Sequence, residues 1–275
     1  MADDLSGQRP TKPRAQRAHT PSDMTGSSIG SIAAARQPGP ATASGSGWTW
    51  NRILKLLPPS EMAAFLDHSE LVTVRSRETL FEPQDSPASV HFPEDCVISL
   101  VTVMRDGDQV EAMTVGNDGF SGIPVFHGVE TSPNRGIGQI TGTARRVSVA
   151  DFRFLAKECV ILHRLLHLYS EFVYETVAQS AACNRLHVIE QRCARWLLMS
   201  HDRVGRDTFD LTQEFLAEML GVRRPGVTVA MGVLEKAGLI AHARGNITVV
   251  NRTGLEGAAC ECYQTIRERQ DRLIR

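Results

Sequence analysis

A chain of 275 residues with 42% hydrophobic content can pack one or two domains. It has no apolar run long enough to span a membrane and no apolar signal-peptide core, so a cytoplasmic protein without a membrane partner is expected. The net charge of −1 hides an asymmetry: residues 48–155 carry nine basic against fourteen acidic residues, and residues 185–275 fourteen against eleven. The basic excess lies at the C-terminal end, where a nucleic acid would be met. Six cysteines (Cys96, Cys159, Cys183, Cys193, Cys260, Cys262) are scattered through helical patterns and read as reduced, buried thiols.

Residues 1–47 are rich in Ala, Ser, Gly, Pro, Gln and Arg, cannot bury enough surface to offset their ordering entropy, and are expected to be a disordered tail. Trp48 to Pro58 reads as a short amphipathic helix, and Ser60 to Leu66 as another, capped by Ser60. Seven strands follow by alternation: Leu71–Val74, Thr79–Phe81, Ser89–Phe92, Val97–Val103, Gln109–Val115, Arg135–Ile140 and Ala144–Val149. Turn residues punctuate them, and the near-regular spacing suggests a β-roll or barrel over residues 48–150.

A long helix is expected over residues 151–184. Leu162, Leu166, Tyr169, Val173, Thr176, Ser180 and Cys183 recur at coiled-coil spacing and form a candidate seam with a second copy. A second stripe, Ile161, Leu165, Leu168 and Phe172, would pack on the β-roll; a monomer with a fully buried helix is the alternative. Cys159, His163 and His167 are spaced by four, as are Cys183 and His187, which can align metal ligands on one helix face. Apolar neighbours and the lack of an evident fourth ligand favour buried thiols and interface histidines. Cys260 and Cys262, taken inside a continuous last helix, would point to nearly opposite sides. No metal and no cofactor are expected.

Residues 185–275 open with a helix, His187–His201, in which Val188, Ile189, Cys193, Trp196 and Leu197 would pack inward, followed by a polar connection, Asp202–Asp210. Then comes the most informative stretch, Leu211 to Val250. Thr212 can cap a helix carrying Leu211, Phe215, Leu216, Met219 and Leu220; Gly221 turns the chain; Pro225 suits the first turn of a second helix. Val227, Val229, Met231, Val233 and Leu234 would be its apolar positions, and Gly238 stops it. A hairpin turning at Arg244-Gly245-Asn246 reads as a wing. Helix, tight turn, helix and hairpin in that order are a winged helix-turn-helix. Arg224 with Thr228 would read base edges, and Thr212, Arg223, Arg244 and Asn246 would meet phosphates. A small helical core with solvated arginines, serving protein contacts, is the alternative. A last helix, capped by Thr253 or Asn251, would run from Gly254 to about Arg275.

Leu211-Thr212, Gly221, Arg224, Val227, Leu234, Gly238-Leu239-Ile240 and Ile247-Thr248-Val249 resemble the C-terminal winged helix of the Crp/Fnr family of bacterial transcription regulators. The resemblance implies an α+β chain: a cyclic-nucleotide-binding-like β-roll, a dimerisation helix, and a winged helix-turn-helix that binds palindromic double-stranded DNA as a homodimer and meets RNA polymerase. Pro225 and Val229 replace a Glu and an Arg of the family's best-known recognition helix. In the phosphate cassette, Gly122-Ile123 stands where ligand-binding members carry Gly-Glu, while Arg135 falls near their phosphate-binding Arg. Gly119, Gly122 and Arg135 are therefore the candidate contacts of a small-molecule effector other than an ordinary cyclic nucleotide; the other readings are a surface Arg on a strand beside tight-turn glycines, and a β-roll that is purely structural. No nucleophile–base constellation, Walker loop or paired metal-ligand motif points to an enzyme.

Overall fold

The computed structural model describes residues 49–273, so the expected tail over residues 1–47, Trp48 and the last helix's end at Arg275 lie outside the described residues. In the N-terminal half, two antiparallel sheets form the expected roll. β1 (Ser69–Val74), β7 (Gly142–Ser148) and β3 (Ser89–Pro93) lie in the order β1-β7-β3. β2 (Thr79–Phe81), β6 (Arg135–Ile140), β4 (Val97–Val103) and β5 (Gln109–Val115) lie in the order β2-β6-β4-β5. Between the roll and its neighbouring helices sit Phe65, Phe92, Phe120, Phe152 and Tyr169, with the Phe92 and Phe120 rings stacked at 5.4 Å. Each ring removes on the order of 150 Å² or more from water, so this cluster is a principal source of stability for the half.

The expected helix at Trp48–Pro58 is a single short turn, Leu54–Leu56. Asn51 explains the difference. Its side-chain oxygen takes the N–H groups of Ile53 and Leu54, and its amide donates to the carbonyls of Pro93 and Gly119. The buried Glu94 carboxylate accepts from the Thr49 hydroxyl and from the backbone N–H groups of Trp50 and Asn51, holding this segment against the roll. Side-chain partners of this kind outcompete a helical ladder. α1 (Pro59–Asp67) begins at Pro59 itself, so Ser60 lies inside it and does not cap it.

α2 (Ile123–Phe126) follows the loop after β5. The expected long helix is two: α3 (Val149–Glu158) and α4 (Val160–Leu186), broken where Cys159 is extended. Glu61 of α1 makes the break favourable, because its carboxylate accepts from the backbone N–H groups of Ile161 and Leu162 and caps α4 from a distance in sequence. Both expected stripes of α4 lie largely inside this chain. Leu162, Leu166, Tyr169, Thr176 and Cys183, the expected seam, are buried in this chain's own core, together with Leu165 and Phe172. Leu168, Tyr174, Val177, Ala178 and Ala181 are exposed instead.

The C-terminal half comprises α5 (Ile189–Val204), β8 (Thr208–Asp210), α6 (Gln213–Leu220), α7 (Arg224–Lys236), β9 (Ile240–Ala243), β10 (Asn246–Val249), α8 (Arg252–Ala258) and α9 (Cys262–Leu273). β8 lies in the stretch expected to be a plain connection; it pairs with β10, giving the sheet order β8-β10-β9. Val188 precedes α5 and is exposed, so it does not pack the core as expected. The core of this half is continuous with the roll: Val97, Val101, Ile137 and Ile140 of the sheet join Trp196, Phe215, Leu216, Met231 and Leu234 in one cluster. The expected final helix is broken after Ala258, where Ala259 is extended, and Asn251 caps its first part by accepting from the Gly254 N–H.

Candidate nucleic-acid interface

Leu211 opens the helix-turn-helix and is fixed by its N–H donating to the Gly245 carbonyl at the wing turn, 2.8 Å. The Thr212 hydroxyl accepts from the Phe215 N–H at 3.2 Å and caps α6, as the sequence pattern suggests. At the far end Gly221 has φ +61°, and the Val222 N–H returns to the Ala217 carbonyl, closing a left-handed cap that leads straight into α7. The Arg192 guanidinium donates to the Leu220 carbonyl at 2.6 Å and places a cation at the C-terminal end of α6.

Arg223 is the residue before α7, Arg224 its first, and Pro225 sits in its first turn. Val227, Ala230, Met231 and Leu234 bury one face against α5 and α6. Val229 and Val233, expected to be apolar core positions, are 62% and 50% exposed. A helix of this length held on one stripe leaves them outside it. Arg223, Arg224 and Thr228 are exposed on the leading turns, and Thr228 bridges the two helices, donating to Gln213 Oε1 at 2.8 Å. The guanidinium groups of Arg223, Arg224 and Arg244 make no hydrogen bond or ion pair with the described residues. Arg244 has φ +51° and Gly245 φ +79°, which makes the tight wing turn that exposes Arg244 and Asn246.

Residues 191–258 match the family profile of the Crp-like helix-turn-helix domain. The fold of the chain is also similar to solved structures. One is a protein described as a transcriptional regulator of the Crp/Fnr family from Eubacterium rectale, with TM-score 0.54 and 12% identity over 75% of this chain and 96% of that one. Another is FixK2 from Bradyrhizobium japonicum, with TM-score 0.52 and 13% identity over 70% and 98%. A third is described as a cyclic-nucleotide-binding protein from Ruegeria pomeroyi, with TM-score 0.54 and 18% identity over 76% and 94%. This chain has the fold of Crp/Fnr transcription regulators and carries their helix-turn-helix domain. No curated protein matches its sequence.

Within that Crp/Fnr fold the three candidate effector contacts are engaged by neighbouring side chains. A Cβ on Gly119 would lie 2.0 Å from the Tyr169 ring, and one on Gly122 would lie 2.5 Å from Val90. Both glycines therefore serve close packing. Arg135 is turned to Glu82, with Nε to Oε2 at 2.6 Å, and to Gln109 at 3.2 Å.

Sequence reasoning missed the contacts between the roll and the helix-turn-helix. Arg77, left-handed at φ +65° in the turn between β1 and β2, donates to the Thr212 hydroxyl at 2.9 Å and lies over the Phe215 ring. Glu111 of β5 accepts from the Trp196 indole at 3.0 Å and from the Ser99 hydroxyl at 2.6 Å; burial raises its carboxyl above the usual range. Asp108, at the β4–β5 hairpin, lines a groove of about 690 Å³ together with Arg223 and Arg224. No local pattern signals these pairs, since their partners are far apart in sequence. His163 and His167 do meet, with their Nε2 atoms 3.1 Å apart, but Cys159 does not join them in a ligand group. Among the described residues no helix is long and apolar enough to cross a membrane.

Proposed function

We propose that the protein is a non-enzymatic, sequence-specific transcription regulator that binds double-stranded DNA as a homodimer. The observation that carries this reading is the first turn of α7: Arg223 and Arg224 are exposed at the start of a rigidly packed helix and are unused by the fold. An α-helix fits the major groove, and an arginine at its start reaches guanine O6 and N7 in a bidentate pair. Arg224 with Thr228 would read bases. Arg223, Arg244 and Asn246 would contact phosphates, joined by Thr212, whose hydroxyl oxygen accepts from Arg77 and Phe215 and keeps its proton to donate.

The proposed dimer uses the exposed face of α4. Leu168, Tyr174 and Val177 supply apolar area, with Tyr174 71% exposed, and Ala178 and Ala181 let two helices approach closely. Twofold symmetry then sets two recognition helices on an inverted repeat with half-sites about one helical turn apart. RNA polymerase is the proposed downstream partner. For the roll, the close packing over Gly119 and Gly122 and the engagement of Arg135 by Glu82 favour a structural role and constitutive DNA binding; a small-molecule effector, if one acts, is not an ordinary cyclic nucleotide.

The test is selection of bound duplexes from a random pool with ligand-free protein, in parallel with Arg224→Ala. Wild type is expected to enrich an inverted repeat. Arg224→Ala is expected to lose about 1–3 kcal/mol of discrimination at one base position while salt-sensitive general binding persists. Equal loss on specific and random duplex would refute base reading by Arg224.

A further inference from the structure

Cys183 and His187 lie one turn apart at the end of α4, and Cys260 and Cys262 flank the corner between α8 and α9. Because α8 stops at Ala258, the last two thiols are not on opposite sides of one helix; they converge on the end of α4. One ligand atom from each of the four residues lies within 4.8 Å of all the others. Cys183 Sγ and Cys260 Sγ are 3.5 Å apart, and Cys262 Sγ and His187 Nδ1 are 3.6 Å apart. With zinc–sulfur bonds of about 2.3 Å and zinc–nitrogen bonds of about 2.0 Å, a tetrahedron has sulfur–sulfur edges of about 3.8 Å and sulfur–nitrogen edges of about 3.5 Å. All three cysteines are buried, and this is the sole such group among the described residues.

We propose that Cys183, His187, Cys260 and Cys262 bind one zinc ion in a tetrahedral site that clips the α8–α9 corner to the end of α4. The surroundings fit the assignment. Glu261 Oε2 lies 3.0 Å from His187 Nε2, and a carboxylate on that nitrogen fixes the tautomer that leaves the Nδ1 lone pair for the metal. The Gln179 side-chain amide donates to Cys262 Sγ at 3.1 Å, as expected for a metal-bound thiolate. The donor set is three soft thiolates and one imidazole, which suits zinc better than magnesium or calcium. Four protein ligands leave no open position, so the ion is structural and not catalytic. An iron–sulfur cluster holds its thiolates much farther apart than these four residues allow.

A site of this kind has a defined consequence. Its ligands must be deprotonated and brought together by the fold, so metal binding and packing of the C-terminal helices are one equilibrium. Zinc would fix α9 along α4, and with it the helix-turn-helix against the β-roll. The proposal does not depend on DNA binding, and its readout is metal.

The test uses the full chain, untagged and purified under reducing conditions without added metal. Elemental analysis should find zinc at one ion per chain in the wild type and in a Cys159→Ser control. The Cys262→Ser and His187→Ala variants should lose at least about tenfold in zinc affinity. Cobalt(II) added to the reduced, zinc-stripped wild type should give the visible bands of a tetrahedral site and a thiolate charge-transfer band. This arm needs no variant and stands even if the substituted chains fail to fold. Three outcomes would overturn the proposal: no zinc in the wild type with no thiolate band on adding cobalt; equal zinc in wild type and both variants; or a Cys183–Cys260 disulfide in the mass spectrum of a separate wild-type sample, alkylated at lysis and isolated without reductant. Iron in place of zinc would overturn the assignment of the metal.

Discussion

The ion pair between Asp118 and Arg203 gives the sharpest test of how the two halves are joined. Asp118 follows β5, and Arg203 lies near the end of α5; their side chains are 2% and 6% exposed. Arg203 donates Nε to Oδ1 at 3.1 Å and Nη2 to Oδ2 at 2.8 Å, a bidentate pair, and Nη1 to the Met199 carbonyl. Asp118 also accepts from the Gly116 N–H at 3.0 Å and from the Gln270 amide at 2.7 Å, so one carboxylate ties the roll to α5 and α9. Asp118→Ala leaves a buried guanidinium without its partner, and removing one member of a buried pair costs about 3–5 kcal/mol. That is a large share of the about 5–15 kcal/mol by which a domain is stable. The assay is urea unfolding followed by two probes, to confirm a two-state transition, with Asp118→Ala, Arg203→Met and the double variant. The two substitutions should be non-additive by about 2–3 kcal/mol, because the double variant buries no unpaired charge. Gly116→Ala is an independent arm that changes no charge: its Cβ would lie 2.3 Å from Arg203 Cδ and evict the side chain. Additivity within about 0.5 kcal/mol, or a cost for Asp118→Ala under about 1 kcal/mol, would refute the argument that this pair is a buried lock.

Three further outcomes are expected. Burial lowers His91 from 6.5 to about 4, so the unfolded chain binds the extra proton first; stability should rise with pH across that window and fall by about 3 kcal/mol from pH 6.5 to pH 4, a slope that His91→Gln should flatten in pH-dependent urea melts. Gly119→Ala pushes a methyl into the Tyr169 ring and should cost about 1–3 kcal/mol in the same assay; a neutral result would show that the ring is free to move. Arg77→Ala, which removes a guanidinium beside Thr212, should make the salt dependence of DNA affinity shallower by about one unit if that group also reaches a phosphate; an unchanged slope would confine Arg77 to holding the roll against α6.

What could be read beforehand divides along physical lines. The roll's strands were legible because period-two alternation and turn residues are local, and the helix-turn-helix because its cap, glycine turn and first-turn proline act within a few residues of where they stand. What failed depended on partners remote in sequence. Asn51 and Glu94 turned an amphipathic segment into a pinned loop, and Glu61 split the long helix by capping α4 across 100 residues. The α4 seam was misread because a heptad-like stripe fits its own core as well as a second helix; spacing specifies a face and not what covers it. Val229 and Val233 were misassigned for a related reason, since valine's apolarity says nothing of which stripe α6 and α5 contact. Cys260 and Cys262 were read on the assumption of one continuous helix, and the extended Ala259 removes that assumption.

The joint between the halves constrains any regulation of the proposed DNA binding. A winged helix on a flexible tether could be governed by its tether alone. Here the outer face of the β2-β6-β4-β5 sheet shares one apolar cluster with the helix-turn-helix core, and the part-buried Glu111–Trp196 contact and the buried Gln139–Ser200 and Asp118–Arg203 contacts cross the same surface. Each contact uses a different side chain of the same rigid helix, α5, so they are lost or kept together. A signal that reorients α7 must therefore either shift the sheet and α5 as one body or expose this joint as a whole. The side chains that would have to change partners are the buried Asp118 and Arg203 and the half-buried Glu111, and not the exposed arginines of α7.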